Sequence, residues 1–302
     1  AHRTKVYLLV SIHKPHALQF SAKSSKEDVA VTGSIDITCE DGVRLQGHCW
    51  VANGAAAEAV VIINPATGVP ARYYHYYARF LSAHGYDVLT YDYRGIGLSR
   101  PERLARHVWR HWGERDFEAV LKRALSMAGS RPVMVVGHSI GGILPGYAPS
   151  APAIARMLTM GAQYAYWRDY MPSRRLAMLA KWHVVMPALT SLFGYFPGRR
   201  LNWLEDLPAG VAFQWSSSGR RIEDHANAEE RGEIIERFAA LTAPILAIGV
   251  TDDEFATRAA ISRALAYFSG TEPVKVMLSP ADLDCDGIGH FDLFHARHAA
   301  GF

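Results

Sequence analysis

The chain has 302 residues, 49% of them hydrophobic, enough to bury a large core as one domain of ordinary size carrying an insertion. Its net charge is only +3, and the basic residues are scattered among acids rather than gathered in a stripe, which argues against a nucleic-acid partner. Three cysteines cannot build a disulfide framework, and free thiols suit a reducing, cytoplasmic setting.

At the N-terminus, Arg3 and Lys5 precede the apolar run Val6–Ile12, a pattern that resembles a signal peptide. The run is short and ends at His13-Lys14, so residues 1–30 read as a loosely attached extension. No segment is expected to reach the roughly 20 apolar residues that span a bilayer, and stable membrane insertion is not expected.

Ile35–Glu40 and Arg44–Trp50 read as a hairpin turning at Asp41-Gly42, which places Cys39 opposite Arg44. Cys49 then lies roughly 17 Å further on, at about 3.4 Å per residue, beyond disulfide reach. Ala59–Asn64 is a short apolar run ending in Pro65-Ala-Thr-Gly68, as for a buried strand feeding a loop. Tyr73–His84 is a helix closed by Gly85, with Tyr73, Tyr77, Phe80 and Leu81 on one face. Tyr86–Tyr91 is the next strand, and Asp92–Ser99 the polar loop after it. Phe117, Val120, Leu121, Ala124 and Leu125 carry helical spacing.

The apolar run beginning at Val133 then breaks at Gly137-His138-Ser139-Ile140-Gly141, the G-x-S-x-G pattern of a nucleophile elbow between strand and helix. The turn is so tight that flanking side chains would collide, hence the glycines, and Ser139 is held out as a nucleophile. Pro145, Pro149 and Pro152 follow closely, so the helix after the elbow is expected to end or kink early.

Strand and helix thus alternate, which implies an α/β class with a mostly parallel sheet and ligands at the carboxyl ends of the strands. From about Met160 to Gly232 the rhythm fails. That block contains Trp167, Trp182, Trp203 and Trp215, with helical spacing around Leu176–Trp182, and is expected to be a cap insertion. Most of its aromatics are expected to pack the cap's own core. Residues 31–159 and 233–302 form the core domain, and 160–232 the insertion. Alternation resumes with a strand at Pro244–Val250, a helix over Thr257–Phe268 and a strand at Val274–Leu278, and His295 and His298 are expected on a terminal helix.

A serine hydroxyl needs a base within hydrogen-bond reach and an acid to orient that base. The chain order Ser, acid, His is satisfied by Ser139, then Asp252 after the Pro244–Val250 strand, then His290 in Gly289-His-Phe291 after the last strand. Asp253 is adjacent; Asp252 is preferred for its spacing from Gly249, and one of the two is expected to serve the following helix as a cap or first-turn acid. His138, beside the nucleophile, is splayed away by the turn. Oxyanion donors are expected at the backbone N–H of Ile140 and of Ala66, with Thr67 as second choice. No H-E-x-x-H or C-x-x-C pair calls for a metal, and Gly95-Ile-Gly97 lacks the rest of a dinucleotide fingerprint, so no cofactor is expected.

Several segments resemble the α/β-hydrolase superfamily, in particular its monoglyceride-lipase and serine-aminopeptidase-like branch and the related bacterial hydrolases. They are Asn64–Val69 with Arg72-Tyr73, Gly85–Ser99, Gly137–Gly142 and Gly289-His-Phe291, with a likeness extending through Gly194–Gly198 and Leu207–Val211. The resemblance spans about residues 35–295 and implies a Ser-His-Asp hydrolase carried by Ser139, His290 and Asp252. Asn64-Pro65 stands where that branch usually has His-Gly, which alters the polarity of the oxyanion loop. The leading expectation is a carboxylic-ester hydrolase for a small or medium acyl substrate. An acyltransferase, amidase or carbon–carbon hydrolase would use the same residues, and a hydrolase-fold binding protein would keep the triad only to hold a ligand.

Overall fold

A computed structural model describes residues 31–52, 57–101 and 107–298, so the expected extension over 1–30 lies outside the described residues. Ten strands are described: β1 Val31–Thr38, β2 Arg44–Trp50, β3 Ala59–Asn64, β4 Tyr86–Tyr91, β5 Val133–His138, β6 Arg156–Met160, β7 Tyr195–Phe196, β8 Leu207–Pro208, β9 Ile245–Val250 and β10 Val274–Leu278. Eight of them form one sheet in the order β1-β2-β4-β3-β5-β6-β9-β10, and β7 pairs with β8 separately. β1–β2 and β2–β4 are antiparallel, and every other pairing in the large sheet is parallel.

The central strands are continuous apolar runs because both sheet faces are covered. Val60 and Ile62 face one way, into a cluster with Val120, Leu121 and Ala124 of the helix Glu118–Ala128. Ala59, Val61 and Ile63 face the other way, against Tyr77, Ala78 and Leu81 of the helix His75–Ala83. Helices on alternate faces are what right-handed crossovers between parallel strands produce.

Four sequence expectations are corrected. The hairpin pairs Thr38, not Cys39, with Arg44. The Cys39 N–H donates to Val43 O at 2.8 Å, so the loop has three residues and ends in Gly42 at φ 80°, a left-handed position that a side chain disfavours. All three cysteines are free. Strand β6 lies where the alternation seemed to stop, because the chain from β5 to β6 contains no α-helix. It passes through short 3-10 turns at Ser139–Gly142, Leu144–Tyr147 and Ala151–Ala153, as the prolines require. The expected C-terminal helix around His295 and His298 is a pair of 3-10 turns.

The fourth correction concerns Arg175–Phe193, a continuous 19-residue helical stretch long and apolar enough, by length and composition, to cross a membrane. Met178, Trp182, Met186 and Thr190 recur every fourth residue along it and are buried, so one face is seated on the protein. Leu176, Val184 and Leu192 lie exposed on its other side.

Candidate active site

The strand ends bring the site together. β5 stops at His138, and Ser139 follows at φ 55°, a left-handed conformation that costs a non-glycine residue of order 1 kcal/mol or more. Gly137 and Gly141 make the turn possible: a Cβ on Gly137 would lie 2.4 Å from Gly142 Cα, and one on Gly141 would lie 2.4 Å from Asn64 O. The strained serine that the G-x-S-x-G pattern leads one to expect is therefore present in the backbone itself.

Beyond β10, His290 is 2.6 Å from an aspartate through Nδ1, and that aspartate is Asp253, not the preferred Asp252. Both side chains of the pair are almost wholly buried. An ionised carboxylate only accepts, so Nδ1 carries the proton and Nε2 keeps its lone pair. Burial acts to raise the Asp253 carboxyl, but the His290 imidazole and the N–H groups of Ala256 and Phe255 outweigh it and hold it below the usual carboxylate value. The Oδ1 atom takes those two N–H groups at 2.8 and 2.7 Å, which fixes the side chain in place.

Asp252 sits elsewhere for a physical reason. Its Oδ2 accepts from the N–H of Ile288 at 2.8 Å and of Gly289 at 3.1 Å, so it clamps the backbone of the loop that carries His290. The two neighbours divide the work, one on the ring and one on its loop. Neither caps the next helix, whose N-cap is Thr257.

Ser139 Oγ accepts from Gln163 Nε2 at 3.2 Å rather than bonding to the imidazole, a looseness common before substrate enters. Gln163 lies just past β6 and is buried; since β6 went unread, no sequence signal pointed to it.

Of the expected oxyanion donors, Ile140 lines the cavity beside Ser139. Ala66 is corrected: its N–H donates to Tyr74 Oη at 2.9 Å. Among the described residues no such partner meets the N–H of Thr67, the second choice. Its hydroxyl receives Trp109 Nε1 at 3.0 Å, which pins the loop. Asn64 ties the same loop to the elbow, giving Nδ2 to Gly141 O at 3.1 Å and receiving Tyr91 Oη at 2.8 Å.

His138 is turned inward, with Nε2 2.8 Å from His290 O and Nδ1 2.7 Å from Tyr74 Oη. A carbonyl can only accept, so Nε2 bears the proton and Tyr74 donates its own to Nδ1. A single chain of hydrogen bonds thus runs from the Ala66 N–H through Tyr74 and His138 to the backbone of His290. Tyr74→Phe removes two of its bonds, and kcat is expected to fall about tenfold while KM changes little, read by steady-state kinetics.

Burial holds the His138 imidazole down to about 3, and His75 and His111 down to about 4. In an unfolded chain each titrates near 6.5. Between those values the unfolded chain binds more protons, so stability rises with pH across the window and is lost as pH falls below about 6.5. Urea unfolding should show stability falling from pH 7 to pH 4.5, with His138 contributing on the order of 1 kcal/mol per pH unit. The acid limb of His138→Asn should be shallower; an unchanged limb would refute the assignment.

The elbow opens into a cavity of about 130 Å³ whose lining joins Ser139, Ile140 and His290 to Trp109, Trp182, Trp203, Trp215 and Phe255. Trp182 stacks on Trp215 at 4.7 Å between ring centroids and meets Trp203 edge-on at 5.5 Å. The tryptophans at 182, 203 and 215 therefore both pack against one another and wall the cavity, more than the sequence led us to expect. Trp167 packs against the same apolar cluster but does not line the cavity.

Sheet order, crossovers and elbow define an α/β hydrolase. The chain belongs to the family described as serine aminopeptidase, S33, which it matches over residues 55–271. No curated protein matches the sequence significantly. Solved structures share the fold at low identity. A soluble variant of monoglyceride lipase from Saccharomyces cerevisiae is 15% identical with a TM-score of 0.58, over 84% of this chain and 88% of its own. An esterase from Pyrococcus furiosus is 16% identical with a TM-score of 0.57, over 94% and 91%. The α/β hydrolase GrgF from Penicillium sp. sh18 is 17% identical with a TM-score of 0.55, over 87% and 92%.

Proposed function

We propose that the protein is a serine hydrolase that cleaves carboxylic esters of small or medium acyl groups through an acyl-enzyme. The observation that carries this reading is the strained Ser139 sharing one aromatic-walled cavity with His290, whose Nδ1 proton is held by buried Asp253.

In the first half-reaction Ser139 Oγ attacks the ester carbonyl carbon while His290 Nε2 takes the hydroxyl proton. The carbonyl electrons move onto oxygen, where the N–H groups of Ile140 and Thr67 are the proposed donors, each worth roughly 3 kcal/mol in barrier. The oxyanion collapses, the alkoxide leaves with the proton from Nε2, and the acyl group stays on Ser139. Water then repeats the sequence, giving its proton to Nε2 and releasing the acid. Asp253 keeps the imidazole in the right tautomer and stabilises the cation formed in each half.

The inserted segment acts as a cap that supplies the acyl wall. A cavity of about 130 Å³ compares with the ~150 Å³ apolar cavities that admit benzene, which suits acyl groups of a few carbons. Hydrolysis of p-nitrophenyl acetate, butyrate and octanoate by wild type and Ser139→Ala tests the reading. Wild type should favour the shorter esters and exceed the variant by at least about a thousandfold. Equal hydrolysis by both proteins would overturn it.

A further inference from the structure

Within this aromatic cavity one side chain is out of character. Lys181 is the only Lys, Arg, Asp or Glu among the described residues that line it. Its Nζ lies 4.4 Å from the centroid of Trp182 and 4.2 Å from that of Trp203, two rings of the same wall. Among the described residues no carboxylate forms an ion pair with it: the nearby Glu254 acts on it only from a distance and is itself paired with Arg174, while Arg199 is on Glu205 and Arg263 on Asp169.

Lys181 stands in a single turn of wider π-helix, Ala180–Val185, inside the long helical stretch. Such turns cost backbone hydrogen-bond geometry and recur at functional sites. Here the turn lets two consecutive residues, Lys181 and Trp182, both reach the cavity. Indole faces hold an ammonium group electrostatically without neutralising it. Burial pulls the Lys181 ammonium somewhat below its usual value, which an incoming anion would reverse.

We infer that Lys181 is a specificity residue that selects substrates bearing a carboxylate, seated against the Trp182 and Trp203 wall while the ester lies at Ser139. The inference rests on the serine-hydrolase reading and narrows its substrate class. A single, partly buried cation held against two indole faces balances a single negative charge, so a carboxylate fits and a phosphate monoester dianion leaves charge uncompensated.

Two matched pairs test it in wild type, Lys181→Met and Lys181→Arg. One is 3-acetoxybenzoate against its methyl ester, with the anion on the leaving group. The other is mono-p-nitrophenyl adipate against p-nitrophenyl hexanoate, with the anion on the acyl group. In at least one pair the anion-to-neutral ratio of kcat/KM should fall about tenfold or more in Lys181→Met and be largely kept in Lys181→Arg. The same ratio in wild type and Lys181→Met for both pairs, with hydrolysis still dependent on Ser139, overturns the inference and leaves the hydrolase reading intact. Should no ester be cleaved, the hydrolase reading falls, and quenching of tryptophan fluorescence by 3-hydroxybenzoate against 3-hydroxybenzamide still decides. Tighter binding of the anion, lost in Lys181→Met, supports the cation's role; equal binding refutes it.

Discussion

Asp253→Asn should lower kcat by about four orders of magnitude, while Asp252→Asn should cost about tenfold or less. The asymmetry follows from what each carboxylate holds. Asp253 accepts the Nδ1–H of His290 at 2.6 Å, so its charge sets the tautomer and, in the proposed acyl transfer, would stabilise the imidazolium. An amide there presents either a weaker acceptor or a donor that forces the proton onto Nε2, the atom that must accept from Ser139. Asp252 acts on the loop backbone through Ile288 and Gly289, and an asparagine oxygen can still accept those N–H groups. Steady-state kinetics with a p-nitrophenyl ester separates the two. A near-normal Asp253→Asn with a crippled Asp252→Asn would return the acid to the residue preferred from the sequence.

Gly141→Ala should lose both stability and activity, in a way Asp253→Asn should not. Its Cβ would lie 2.4 Å from Asn64 O, at the end of β3, and 2.6 Å from Pro65 O, in the loop after it, both backbone atoms. Backbone cannot rotate aside, so the loop must move, at a cost of about 1–3 kcal/mol typical of overpacked sites. That loop presents the proposed Thr67 donor, and misplacing one oxyanion donor costs about a hundredfold to a thousandfold in kcat. Chemical denaturation and kinetics on the same preparation should show both losses. Unchanged kcat in a destabilised protein would detach the β3 loop from the chemistry.

Much of this architecture was legible because it rests on local rules. Runs such as Ala59–Asn64 and Val133–His138 are apolar throughout because two layers of helix cover the sheet, and that pattern survives in the sequence. The elbow was legible because sterics demand glycine on both sides of Ser139. Choosing between Asp252 and Asp253 was not, since adjacent residues leave a strand end in opposite directions and only the turn geometry assigns them. Here the Asp253 N–H donates to Val250 O at 3.3 Å, a turn that swings its side chain onto the imidazole. Strand β6 was missed because prolines replaced the crossover helix that would have announced it. Gln163 and Lys181 were invisible for a related reason: they reach the cavity from the segment after β6 and from a π-helical turn, and neither feature leaves a periodic signature. Ala66 was misassigned because the competing acceptor, Tyr74 Oη, lies eight residues on, across a helix start.

The account turns on Ser139 being an activated nucleophile, and a fluorophosphonate probe asks that directly. Incubation followed by peptide mass spectrometry should place one covalent adduct on Ser139 in wild type, slowed strongly in Asp253→Asn and absent in Ser139→Ala. An unlabelled Ser139 in folded wild-type protein, or an adduct mapped to another residue with esterase activity lost, would contradict it.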